Sequence, residues 1–368
     1  MSRYNDRLVF SKITEVIDGS TINRAVGKYA GDYRTQHFDT RSHMFSLIYF
    51  NIKGNSSLRD LQMNVANNSK LRRLVNVPSV SQFSRKNASR DYRIFEDIFD
   101  HLVTVAGKKL RKVGSINELK IIKRIDSTII NIAAKLAPSL KYEENKSAIK
   151  VSTLFNGAYP EKVQIVKGTV NDRKCIEGFF EDTGAIYVFD RGYYDYNWYD
   201  TLTKQKLRFV TRSLDYATMT EEEVLSIDIE NNIYDTKVIL GSTPSQNRTR
   251  YAYREIMTFD ENENPITFIT NIFDMTAEEI IAIYRRRWDI EIFFKWIKQN
   301  LKIKKWIGYN ENAVKIQVYT ALIAYLLIYL LRQNINSSQS MLTITRIIRI
   351  NLLETADSLI FEYLGQSP

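Results

Sequence analysis

Cysteine and histidine are nearly absent from this 368-residue chain: Cys175 stands alone, and His37, His43 and His101 are its only imidazoles. A disulfide framework and a structural zinc centre are thereby excluded, and any metal must be held by oxygen ligands. The N-terminus, MSRYNDRLVF, lacks the apolar stretch of a secretory signal, which points to a reducing cytoplasm. The most apolar segment, Val318 to Leu331, is too short to span a bilayer and is bordered by Lys315, Gln317 and Arg332. It reads as a buried core helix, and no membrane partner is expected. A glycine-rich phosphate loop with its lysine is also missing, which ranks a phosphatase-like hydrolase built around Asp126 last among the candidates.

Positive charge is what the chain has in excess, with a formal net charge of +10 and a pI near 9.3. Basic surface attracts polyanions through long-range field and counterion release. Residues 1–112 hold 20 Lys and Arg against 10 Asp and Glu, so this segment carries the whole excess. Residues 215–279 are acidic, 14 against 4, whereas 284–305 are basic, 8 against 2. Charge that alternates by segment implies separate faces or subdomains.

Residues 1–112 carry apolar positions at helical spacing, and Ser57 and Pro78-Ser79 look like helix starts. Two short helices with polar and basic residues on the second suit a helix-turn-helix reader of DNA, set against a plain helical bundle with a solvated basic surface. From about residue 116 the texture turns to strands: 119–130, then 149–155 and 162–167 joined by the hairpin connection Asn156-Gly157-Ala158-Tyr159-Pro160. A helix near 172–180, a strand over 185–189, a helix near 196–204 and a strand over 207–211 follow. This order describes a mixed α/β sheet. The segment 215–275 reads as a small β insertion, and Thr276-Ala277-Glu278-Glu279 caps a long helix running to about Lys302. The expected divisions are a helical N-terminal DNA-binding domain over 1–115, a catalytic core over 116–214, the β insertion over 215–275, the second part of the core over 276–335, and a C-terminal helical region over 336–368.

Asp126 interrupts an apolar strand and Asp190 ends another, at the edge where a parallel sheet exposes its ligands. With a third carboxylate from a helix they suit a two-metal Mg2+ site acting on phosphate, although a strand aspartate is as often a cap or a salt-bridge partner. The helix 284–298 supplies the third. At roughly 100° per residue, Tyr284, Arg287, Glu291 and Lys298 fall within roughly 60° of one another, beside an apolar stripe of Ile283, Ile290, Phe294, Ile297 and Leu301. Arg287 and Lys298 are then placed for phosphates, and Tyr284 and Trp288 for stacking on a base. The plainer alternative is an exposed helix on which Arg287 and Lys295 pair with Glu291 at four-residue spacing.

The spacing Tyr284-x2-Arg287-x3-Glu291-x6-Lys298 resembles the signature of the insertion sequence four group of bacterial DDE transposases. Arg287-Trp288-x-Ile290-Glu291-x-Phe293 matches its neighbourhood, Asp126-Ser127-Thr128 resembles its first-aspartate strand, and Asp190-Arg191-Gly192-Tyr193 its second-aspartate turn. In order and character the likeness covers about residues 5–335, including the N-terminal segments Ser57-Leu58-Arg59-Asp60-Leu61 and Pro78 to Arg85. It implies a ribonuclease H-like core interrupted by the β insertion, and an Mg2+-dependent, cut-and-paste reaction with Mn2+ as a substitute. In that reaction water attacks at the element's end, the freed 3′-hydroxyl closes a hairpin, and the reopened end joins target DNA. It further implies Asp126, Asp190 and Glu291 as metal ligands, with Tyr284, Arg287 and Lys298 gripping DNA and Trp288 stacking. Double-stranded transposon ends and target DNA are the implied partners of a homodimer in the bacterial cytoplasm, at the nucleoid. Many members carry Lys-Leu-His where this chain has Lys150-Val151-Ser152; Lys150 and Arg191 are further candidate phosphate contacts. The alternatives are a ribonuclease H-like structure-specific DNA nuclease and a domesticated DNA-binding regulator using residues 1–112 alone.

Overall fold

The computed structural model describes residues 7–112, 121–133, 140–143, 146–242, 248–300, 306–308 and 310–356. Two compact units divide the chain. One comprises Met1–Val113, Ile129–Ile149 and Phe293–Pro368, the other Gly114–Thr128 and Lys150–Ile292.

The first unit opens with seven helices: α1 (Val9–Thr14), α2 (Gly19–Lys28), α3 (Thr40–Lys53), α4 (Leu58–Ala66), α5 (Ser69–Leu74), α6 (Val80–Ser89) and α7 (Arg93–Lys112). Asp18, Asp39, Ser57, Asn68 and Ser79 each accept a hydrogen bond from the backbone N–H three residues on, which satisfies a donor the helix itself leaves free. Ser57 and Ser79 thus begin helices as expected. The helix-turn-helix expectation is modified, because α5 intervenes between α4 and α6. Phe83 and Asn87 bury one face of α6, leaving Ser81, Arg85 and Ser89 exposed on another.

The second unit is built on strands. β1 (Ile122–Ala133) begins it; β2 (Lys141–Glu143) belongs to the first unit, where it pairs antiparallel with the start of β3 (Lys146–Phe155). β4 (Pro160–Lys167), α8 (Asp172–Cys175), β5 (Ile186–Phe189), α9 (Tyr196–Lys204) and β6 (Arg208–Arg212) follow. Then come β7 (Met219–Asp228), β8 (Ile233–Leu240), β9 (Tyr253–Phe259) and β10 (Pro265–Thr270), and the helices α10 (Ala277–Arg285) and α11 (Trp288–Asn300). Strand order is β3-β1-β5-β6-β10-β9-β8-β7, with β4 on β3. β1, β5 and β6 are parallel, and β6, β10, β9, β8 and β7 are successively antiparallel. The expected hairpin is present as β3 and β4. The four strands of the β insertion are an extension of the same sheet, since β10 pairs directly with β6.

Side chains alternate across this sheet and build two cores. Tyr187 and Phe189 of β5 pack with Trp198 and Tyr199 of α9, Phe209 of β6 and Ile125 of β1 on one face. Ile186 and Val188 pack with Val210, Phe268 and the α10 residues Ile280, Ile283 and Tyr284 on the other. Thr276 and Glu279 close the expected capping box at the start of α10.

The first unit resumes in α12 (Glu311–Asn334) and α13 (Met341–Asn351). α12 is long and apolar enough to cross a membrane, yet Ala313–Val314 and Ile316–Leu331 are buried, where it packs with α3, α6, α7 and α13. A helix apolar on every side must be surrounded. The N-terminal helices, expected as a domain of their own, supply that surround and share their core with it. Of the C-terminal region 336–368, residues 357–368 lie outside the described residues.

Candidate active site

β1 and β5 pair in the register Ile125↔Phe189, so the next residues, Asp126 and Asp190, reach the same level of two adjacent parallel strands. Alternation sends both side chains to the α10 face, since Ile125 and Phe189 point to the opposite core. Each carboxylate is oriented by the amide that follows it. Ser127 N–H donates to Asp126 Oδ1 at 2.7 Å, and Arg191 N–H to Asp190 Oδ1 at 2.8 Å. Burial raises the Asp126 carboxyl to about 6. The Ser127 amide and Arg287 oppose that rise, while the negative fields of Asp190 and Glu291 add to it. Asp126 therefore senses both of the other acids that the sequence pairs with it.

The helix carrying Glu291 differs from the expectation of one continuous element to about Lys302. α10 stops at Arg285 and α11 starts at Trp288, with Arg287, Asp289 and Ile290 donating to the third residue back rather than the fourth. Arg124, on the same face of β1 as Asp126 and 3% exposed, sits at this break. Its Nε donates at 3.0 Å to the Arg286 carbonyl, the acceptor a continuing helix would give to Ile290. Its Nη2 pairs with Asp289 at 2.9 Å and its Nη1 donates to the Ile122 carbonyl at 2.7 Å. Gly157, at φ +96°, lets the hairpin pass this guanidinium; a Cβ there would lie 2.8 Å from Nη1. The fork of Arg124 thus fastens the start of the Glu291 helix to the strand of Asp126. Arg124→Met is expected to lower stability by about 1–3 kcal/mol in urea denaturation: the tie between strand and helix is lost, while Asp289 keeps Arg286 Nε at 3.2 Å and the Arg286 carbonyl keeps the Asp289 N–H at 3.1 Å.

The break re-aims the motif. Tyr284 turns inward, its ring 4.7 Å from that of Phe268 and 5.8 Å from the Arg287 guanidinium. Burial pushes its hydroxyl up to about 12. Its ring is therefore not an exposed platform for a base, whereas the Trp288 side chain is 58% exposed. Arg287 Nη2 donates to Glu291 Oε1 at 2.6 Å, the pairing the plainer alternative foresaw. Arg287 Nε is buried without a hydrogen-bond partner. Among the described residues no three acidic, cysteine or histidine side chains converge closely enough to hold one ion. The donors themselves are hard oxygens around a carboxyl whose charge is penalised, which suits Mg2+ or Mn2+.

A family model described as Transposase DDE domain matches residues 120–327, more than half of the chain and all three acids. The chain belongs to that family of insertion-sequence DDE transposases. A putative transposase, y4zB, from Sinorhizobium fredii (strain NBRC 101917 / NGR234) is 30% identical over 258 residues, 68% of this chain and 71% of that protein. The probable transposase for insertion sequence element IS5377 of Geobacillus stearothermophilus is 24% identical, covering 67% of this chain and 66% of its own. The putative transposase for insertion sequence element IS4SA of Synechocystis sp. (strain ATCC 27184 / PCC 6803 / Kazusa) is 29% identical over 68% of this chain and 71% of its own. Residues 5–74 match a further family, a domain of unknown function. Among solved structures, a piggyBac transposase synaptic complex with hairpin DNA aligns at a TM-score of 0.48 with 10% identity, over 96% of this chain and 80% of that one.

The remaining expected contacts of the transposase are placed less uniformly. Lys150 is buried, donating to the Val170 carbonyl at 2.6 Å and pairing with Asp172 at 3.0 Å, which accounts for it without a phosphate. Arg191 is half-exposed and holds both oxygens of Asp215, at 2.9 and 3.1 Å. Lys298, in the last turn of α11, falls in the segment grouped with the first unit. Reading the sequence missed Arg124, although a cation two residues before Asp126 in an apolar strand was a visible signal. It also gave no role to the hydroxyls of Ser127, Ser152 and Tyr193.

Proposed function

We propose that this transposase cuts and joins DNA at the ends of its own element by a cut-and-paste route through Asp126, Asp190 and Glu291. One observation carries the reading: Asp126 and Asp190 stand level at the ends of two adjacent parallel strands, with the Asp126 carboxyl pushed up by desolvation and by the fields of Asp190 and Glu291. Strands β4-β3-β1-β5-β6 serve as a ribonuclease H-like core. Asp126 and Asp190 are the first ligands of two divalent cations, and Glu291 completes the site when it leaves Arg287. Bound Mg2+, or Mn2+ in its place, supplies Lewis acidity at the scissile phosphate.

The protein's own side chains do the positioning. Arg287, once its carboxylate partner is withdrawn, presents a guanidinium with an unused Nε–H to a phosphate. Tyr284 supports it from below, Lys298 and Arg191 add further phosphate contacts, and exposed Trp288 stacks on an extruded base. The basic N-terminal helices bind the terminal inverted repeats, and two copies bring both ends into one complex.

Incubating the full chain with Mg2+ and linear DNA bearing the element's two ends tests this. Hairpin-ended fragments and products joined to target DNA are expected. Nicks alone, with neither hairpins nor joints, would overturn it in favour of a structure-specific nuclease.

A further inference from the structure

Opposite Asp126 on β1, the Ser127 side chain enters the core that contains Ile125, Leu154 and Tyr193. Its Oγ lies 2.7 Å from Ser152 Oγ on β3 and 2.9 Å from the Tyr193 hydroxyl on the turn after β5. Ser152 is 0% and Tyr193 5% exposed, and Ser127 between them is partly buried. The three hydroxyls are linked in the order Tyr193, Ser127, Ser152, and either partner of each pair can be the donor.

Two members of this chain, Ser127 and Tyr193, are tied to an aspartate. Ser127 directs Asp126 through its own N–H, and Tyr193 N–H donates to the Asp190 carbonyl at 3.1 Å. The hydroxyls therefore bridge the two carboxylate-bearing backbones from behind, without touching either carboxylate.

We propose that Tyr193, Ser127 and Ser152 are positioning residues that set the spacing of Asp126 and Asp190 and thereby the affinity of the site for its divalent cation. This deepens the metal-dependent reading above and rests on it. Groups that orient metal ligands in this way change metal affinity by about 10- to 100-fold when removed.

The test is calorimetric titration of Mn2+ into the metal-free full chain, with wild type and Asp126→Asn measured alongside. Tyr193→Phe, which deletes one oxygen without changing the ring, is expected to weaken Mn2+ binding about tenfold, and Ser152→Ala by a similar factor. Because the bonds form one chain, the double variant is expected to bind no more weakly than the worse single variant. Affinity for end DNA in EDTA stays at the wild-type value. Wild-type Mn2+ affinity in both single variants would overturn the brace while leaving the metal site intact, and so would additive losses in the double variant. Wild type that binds no Mn2+, or binds it as Asp126→Asn does, would instead remove the metal reading and the brace with it.

Discussion

Glu291→Ala is expected to abolish strand cleavage while leaving affinity for the element's ends unchanged. The Glu291 side chain on α11 is 34% exposed, and among the described residues it is hydrogen-bonded to Arg287. Surface i,i+4 pairs contribute about 0.3–0.5 kcal/mol; the Arg287 side chain, 15% exposed, makes this loss larger, yet small beside the roughly 5–15 kcal/mol that holds a domain folded. The effect must then be chemical. Because Glu291 is the proposed third ligand of a site that stabilises phosphoryl charge, its loss is expected to slow reaction by roughly a thousandfold for about 4 kcal/mol. Glu291→Gln separates two roles, because it keeps a hydrogen-bond acceptor for Arg287 but not the negative charge. Equal loss in both variants, by cleavage of end-labelled donor DNA, is the expected result. A regulator acting through the N-terminal helices alone predicts that neither change alters biological activity, and that outcome would sink the catalytic assignment.

The sequence disclosed those parts of the fold whose causes are local. Hydroxyl and carboxylate caps marked the starts of α4, α6 and α10, and apolar runs bounded by Gly and Pro marked β3, β4 and β5. β7 escaped because it is an edge strand, exposed along nearly its whole length, and Glu221, Glu222 and Glu223 erase any alternation. The spacing that singled out Tyr284, Arg287 and Glu291 assumed one unbroken helix. That assumption failed at a long-range contact: the Arg286 carbonyl accepts from Arg124, 162 residues away in the chain, as well as from the Asp289 N–H three residues on. No periodicity within 276–302 carries that information. The break explains why Tyr284 is a core residue rather than a stacking face, and why Trp288, the first residue after it, is exposed.

Asp126→Asn is expected to inactivate the transposase and yet raise the melting temperature of the metal-free protein. The Asp126 carboxyl sits at about 6 in the folded chain because burial disfavours its charge; unfolded, it titrates near 3.9. A raised carboxyl pKa means that the folded state binds more protons, so stability falls as pH rises from about 4 to about 6 and stays low above that. A shift of about two units corresponds to at most about 3 kcal/mol, and asparagine, neutral at every pH, recovers part of it. In EDTA at pH 8 the variant should melt several degrees above wild type, since about 1 kcal/mol moves a domain of this size by roughly 2–4 °C. The gap should narrow as pH falls through 6 and close below about 4. Adding Mg2+ should stabilise wild type and leave the variant unmoved, because only a charged carboxylate gains from the ion. A variant that melts at or below wild type in EDTA at pH 8 would show that burial does not penalise this charge.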